Sequence, residues 1–191
     1  MRKIVLSMSV SLDGFFEGPN RELDWHMVDD ELHRHFNERS KAMSGFLTGR
    51  VMHELMAGFW PTADQDPASP EPVREFAAIW RDMPKIVYSR TLDLDHTDWN
   101  TTVVREVVPE EVRALKDQPG GDLGIGGAEI AAEFRRHDLI DEYLLYVTPV
   151  VLGRGRPLFP DTGATTRLRP TETHTFGNGV VLLRYERATT G

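Results

Sequence analysis

Three short stretches of this chain combine glycines, hydroxyls and arginine in a way that suits an anion. Gly124-Ile125-Gly126-Gly127-Ala128-Glu129-Ile130 follows a short apolar segment and runs into a helix-forming sequence. Glycines there let the chain turn sharply and let a phosphate approach the N–H groups of a helix N-terminus. Gly49-Arg50-Val51 forms a second strand-to-helix corner, with an arginine at the helix start. Ser89-Arg90-Thr91 ends another strand with one cation and two hydroxyls, donors that match a phosphate dianion. Each corner alone also reads as ordinary turn chemistry. The first is not the dinucleotide fingerprint, because Glu129 stands where the third glycine belongs. Among the acids, Asp13 closes a strand with a serine face, and Asp29 and Asp30 open a helix. An aspartate can orient a ring, form a turn or complement a helix dipole, and residue type alone leaves these open.

The elements that must position these residues alternate between strand and helix. Ile4–Leu12 is a strand in which Leu6, Met8, Val10 and Leu12 point one way and Ser7, Ser9 and Ser11 the other. Its small polar face is either solvent-facing or the floor of a ligand site. Phe15–Asn20 reads as a loop whose two phenylalanines need burial in the core or over a ligand. Helices are expected over residues 29–39, 50–56, 73–80, 109–116 and 128–134. Strands are expected over residues 45–49, 85–89, 101–104, 123–125, 142–152 and 179–186. Phe59–Pro72, with Pro61, Pro67, Pro70 and Pro72, reads as a long surface loop, a form often used as a lid. Gly153–Phe159 is a glycine-rich turn. The pattern predicts an α/β protein of one domain over residues 1–191. It has three layers, a largely parallel central sheet and an antiparallel C-terminal hairpin at one edge. Ligands of such sheets bind beyond the carboxyl ends of the strands, where all three corners fall. Three such corners together point to a nucleotide cofactor.

Composition narrows the rest. The 191 residues carry a net charge of −8, and no Lys/Arg cluster provides the footprint of a nucleic-acid binder. No stretch is long and apolar enough for a membrane span. The absence of cysteine removes disulfides and thiolate chemistry and fits a cytoplasmic setting. No metal site is expected: His33 and His35 diverge on a helix, and His53-Glu54 lacks the second histidine of a zinc helix.

The ordered set of motifs resembles the dihydrofolate reductase-like family, in the branch shared with the riboflavin-pathway reductase domain. The pieces are Ser11-Leu12-Asp13-Gly14, residues 49–54, residues 87–92, Gly124–Ala128 and residues 149–155. The resemblance implies NADPH as hydride donor and a pterin/folate-like or aminopyrimidine acceptor. It implies that Gly49, Arg50 and Val51 lie near the cofactor phosphates. Ser89, Arg90 and Thr91 would meet the adenosine ribose and its 2′-phosphate. Gly126, Gly127, Ala128, Glu129 and Ile130 would hold the pyrophosphate. Met52 departs from the family, which has threonine there. In dihydrofolate reductases an acid follows a tryptophan by five positions on the first helix, and Trp25 and Asp30 reproduce that spacing. Asp30 and Asp13 are therefore both candidates to orient the acceptor ring, with Trp25 stacked on it or part of the core. A homodimer, packed through the strand beginning at Val147, follows from the same resemblance. The rival reading is a non-catalytic nucleotide- or flavin-binding module of the same fold.

Overall fold

In the computed structural model, which describes residues 1–92, 98–161, 163 and 165–188, an eight-stranded sheet forms the middle layer. Its strands are β1 (Ile4–Ser11), β3 (Met43–Gly49), β4 (Lys85–Tyr88), β5 (Thr101–Val104), β6 (Asp122–Gly126), β7 (Glu142–Thr148), β9 (Leu168–Thr175) and β10 (Val181–Arg187). The short strands β2 (Phe15–Glu17) and β8 (Arg156–Pro157) pair with each other. The large sheet runs in the order β5-β4-β3-β6-β1-β7-β10-β9. All pairings from β5 to β7 are parallel, and β10 and β9 are antiparallel additions at one edge. The expected mostly parallel sheet with an antiparallel edge is therefore what the chain builds.

Five helices complete the layers: α1 (Asp30–Lys41), α2 (Arg50–Ala57), α3 (Glu71–Asp82), α4 (Pro109–Asp117) and α5 (Ala128–Arg136). Leu6, Met8 and Val10 of β1 pack with Val112 of α4 and Ile130 and Phe134 of α5. On the opposite face Val5, Leu144, Tyr146 and Leu182 pack with Leu32 of α1. The period-2 alternation of β1 thus divides between two cores, as a sheet covered on both faces requires.

Several boundaries differ from the sequence reading for identifiable reasons. Phe15–Glu17 is a strand and not a loop, because Arg156–Pro157 supplies its partner from 139 residues away. Strand β7 ends at Thr148, since Pro149 follows and the Val150 N–H turns back to the Thr148 carbonyl at 2.8 Å. Helix α3 starts at Glu71, with Pro72 tolerated in the first turn. Strand β9 has no counterpart among the expected elements. It is an edge strand with nearly all of its residues exposed, so no apolar alternation marks it, and Arg169, Pro170 and Glu172 protect the edge.

The proline-rich segment before α3 is tied to that helix. Arg81 forms a two-pronged pair with Asp64 at 2.9 and 2.6 Å and also donates to the Pro61 carbonyl at 3.0 Å. The Arg81 guanidinium holds the Asp64 carboxyl below the usual carboxylate range.

Candidate functional site

Ser7 marks the place where the sheet is uncovered. It lies in the middle of β1, between β6 and β7, yet it is exposed while Leu6 and Met8 beside it are buried. The cause is on the adjacent strand. In β6, Leu123 and Ile125 enter the core under α4 and α5, while on the other face Gly126 leaves open space and Gly124 lies beneath the Phe46 ring, 3.3 Å from where a Cβ would stand. Register places Gly124 between Val5 and Phe46, and Gly126 beside Thr48. A cavity of about 950 Å³ results. Ser7, Ser9, Gly124 and Gly126 form its floor, and Phe36, Met52, Met56, Trp60, Phe76 and Trp80 are among the side chains that wall it. Ser7 and Ser9 of the serine face of β1 thus lie on the floor of this cavity, while Ser11 is buried and bonds to Asp13 and the Phe15 N–H, and Leu12 is exposed where the alternation placed it with the core residues.

Two helices point their N-termini at the rim. Helix α2 begins after Gly49 and α5 after Gly127, and neither has a side-chain cap. Their first-turn N–H groups therefore lack the usual internal acceptor, which leaves donors and partial positive charge at the cavity mouth. Gly127 has φ +101°, a conformation that other residues adopt only with strain. At Gly126 an added Cβ would meet only Met52 Cε, at 4.0 Å, so the space above it is open.

Gly49, Arg50, Val51, Gly126, Gly127, Ala128, Glu129 and Ile130 all line the cavity. Arg50 also pairs with Glu54 one turn on, at 2.9 Å. Ser89, Arg90 and Thr91 lie outside the lining, at the end of β4 where Tyr88 registers with Gly49. The Ser89 hydroxyl accepts from the Leu92 N–H at 2.9 Å and so shapes its own turn, while Arg90 and Thr91 are exposed.

The three residues expected to handle a ring stand elsewhere. Asp13 accepts hydrogen bonds from the Ser11 hydroxyl (2.7 Å) and from the N–H groups of Leu152 (3.1 Å) and Gly153 (2.7 Å), tying β1 to the glycine-rich turn. Asp30 has a 62% exposed side chain, 3.7 Å from Arg34. Its neighbour Asp29 caps α1 by accepting from the Leu32 N–H at 2.9 Å. Trp25 donates to the Glu22 carbonyl at 3.1 Å and meets the His26 ring edge-on. None of Asp13, Trp25 and Asp30 lines the cavity.

Other groups line it besides the expected ones, among them Glu17, Glu133, Lys85 and Arg156. Glu17, buried, and Glu129 share Arg156, at 2.5 and 2.6 Å, and Arg156 also covers the Phe16 ring. Glu133 pairs with Arg136 and with His137. All three acids lining the cavity thus have cationic partners or, for His137, a partner that is charged when protonated. Lys85 donates to the carbonyls of Met83 (2.7 Å) and Trp99 (2.6 Å), and burial lowers its pKa to about 8. Burial also lowers His26 and His33 and pushes the Tyr88 phenol up to about 12. No local spacing marked Glu17, Glu133 or Lys85 as cavity residues; Gly124, two residues before Gly126 on the same side of β6, marked only the floor.

Known proteins share this architecture. The chain matches the family of RibD C-terminal domains over residues 2–182. It is 34% identical to the Bacillus subtilis (strain 168) protein YyaP over 185 residues, covering 96% of this chain and 94% of that one. Among solved structures, a putative riboflavin biosynthesis protein from Shewanella sp. PV-4 superposes with a TM-score of 0.74 at 21% identity. That match covers 99% of this chain and 100% of the other. A dihydrofolate reductase from Enterococcus faecalis, complexed with NADP(H) and RAB-propyl, superposes with a TM-score of 0.62 at 18% identity, covering 98% and 97% of the two chains. The cavity therefore sits on a dihydrofolate reductase-like scaffold, and the chain belongs to the RibD C-terminal domain family.

Proposed function

We propose that the protein is a reductase that takes hydride from NADPH and delivers it to a small planar heterocycle of the pterin, folate or aminopyrimidine type. The observation that carries this reading is the convergence of two uncapped helix N-termini on one glycine-floored cavity. The donor set fits a dinucleotide. First-turn N–H groups at Ala128, Glu129 and Ile130 suit a pyrophosphate, with Gly126 and Gly127 admitting it closely. Gly49, Arg50 and Val51 offer a second cluster of donors. Ser89, Arg90 and Thr91, on the neighbouring strand end, suit the ribose and its 2′-phosphate.

When bound, NADPH supplies hydride to a ring or imine carbon, and the adjacent acceptor atom takes one proton. The chain's own part is positioning and exclusion of water. The aromatic and methionine walls confine a flat ring against the sheet, and the helix N-termini fix the phosphates that set the cofactor's depth. Asp13, Trp25 and Asp30 stand outside the lining, so the polar edge of the acceptor falls to groups within it.

The test is NADPH oxidation followed with 7,8-dihydrofolate and with an aminopyrimidine as acceptors. Acceptor-dependent oxidation is expected. Nucleotide binding without oxidation by either would favour the non-catalytic module, and a yellow preparation would indicate a flavin protein. We place this activity in the cytoplasm and in a homodimer. Among the described residues, no helix is long and apolar enough to cross a membrane. Leu12, just past β1, and Val151, three residues past β7, are 67% and 66% exposed, which suits contact with a second copy. Sedimentation should give a dimer that Val151→Asp weakens, and a wild-type monomer would remove this part of the reading.

A further inference from the structure

One cation of the cavity is shared by two anions. Arg156 of β8 registers with Glu17 of β2. Gly155 before it lets the two strands close up, since a Cβ there would stand 2.5 Å from the Glu17 carbonyl oxygen. The Arg156 guanidinium lies 5.2 Å from the centre of the Phe16 ring and spans two carboxylates from different elements. Nη1 donates to Glu17 Oε1 at 2.5 Å, and Nη2 donates to Glu129 Oε1 at 2.6 Å. Phe16, Glu17, Glu129 and Arg156 all line the cavity.

The two arms are unequal. The Glu17 side chain is 10% exposed and the Glu129 side chain 77%. Breaking the Glu17 arm leaves a buried charge uncompensated, whereas an exposed ion pair contributes little. Arg156 is therefore anchored on β2 and only lightly held by α5. Glu129 belongs to the first turn of α5, and its carboxylate sits on Nη2 where the oxygen of another anion could equally accept. With one positive and two negative charges at this corner, an incoming phosphate is repelled for as long as Glu129 stays. An exposed side chain can turn into solvent and leave Nη2 to the newcomer.

We propose that Arg156, presented by Glu17, is a ligand of the dinucleotide pyrophosphate, and that the Glu129 carboxylate is the placeholder it exchanges for that group. This rests on the proposed seating of a dinucleotide at the start of α5. It gives Arg156 a group that NADPH and NADH share, whereas Arg90 is assigned to the 2′-phosphate that only NADPH carries. The planar fork is what allows one side chain to hold a buried carboxylate and a phosphate together.

The test titrates NADPH and NADH by calorimetry, at low ionic strength, into the wild type, Glu129→Gln and Arg156→Lys. Glu129→Gln removes the competing charge and keeps the backbone N–H. It should tighten both nucleotides about threefold or more, a gain that fades as salt screens it. Arg156→Lys keeps a cation beside Glu17 but cannot span two anions, and should weaken both nucleotides about tenfold. The ratio of NADPH to NADH affinity should stay at its wild-type value in both variants. A merely structural ion pair predicts otherwise: each variant loses the same contact, so both would bind more weakly. The inference is overturned if Glu129→Gln leaves affinity unchanged or lowers it, or if folded Arg156→Lys binds as the wild type does. Should Arg156→Lys prove unfolded in thermal melting, the sign of the Glu129→Gln effect decides alone. Failure of both nucleotides to bind the wild type would overturn the cofactor reading and this inference with it. Binding by the wild type with unshifted variants would overturn this inference alone.

Discussion

Gly126→Val is expected to leave the protein folded and to lower its affinity for NADPH by about 100-fold or more. Gly126 is not among the glycines with positive φ, so a branched residue brings no backbone strain of that kind. A Cβ there would find Met52 Cε at 4.0 Å and otherwise open cavity. The valine methyls would therefore occupy the space above β6, beside Thr48 and in front of the α5 N-terminus. The effect is steric occlusion of the dinucleotide and not loss of the scaffold. Calorimetric binding and thermal melting of the same preparation separate the two. Wild-type affinity in a folded Gly126→Val protein would mean that the dinucleotide does not lie on this floor.

Phe134→Ala is expected to cost about 3–5 kcal/mol of stability. That is a large part of the roughly 5–15 kcal/mol available to a domain. Phe134 is 0% exposed and packs in the larger core with its ring 5.4 Å from that of Tyr88. Its carbonyl also receives the N–H groups of His137 (3.3 Å) and Leu139 (3.0 Å), which turn the chain from α5 toward β7. Truncation leaves a cavity under the helix whose other end meets the proposed pyrophosphate, so affinity for NADPH should fall along with stability. Urea unfolding without nucleotide measures the first effect. A loss below about 1 kcal/mol would show that the core there collapses around the gap.

Much of the architecture could be read in the chain because its signals are local. Alternation in Ile4–Leu12, the proline opening of α4 and the glycine corners at Gly49 and Gly126–Gly127 each arise within a few residues. The pairing of β2 with β8 spans most of the chain and left no local trace. Strand β9, solvated on nearly every side chain, has no apolar face to announce it. The site divides in the same way. Backbone donors at helix starts are sequence-local, and those residues line the cavity. Which carboxylates face it depends on how α1 and the glycine-rich turn are oriented. Asp30 has the right spacing from Trp25 yet points to solvent beside Arg34, and Asp13 is held by the N–H groups of Leu152 and Gly153. Tyr146 and His35 come from two elements and meet only in the folded protein.

The central claim is that the strand-end crevice binds NADPH, with Arg90 recognising the 2′-phosphate. Calorimetric titration of the purified protein with NADPH and NADH, alongside Arg90→Ala, tests it most directly. The account predicts that NADPH binds at least about tenfold more tightly than NADH and that Arg90→Ala removes the difference. Failure of both nucleotides to bind the wild-type protein would contradict it.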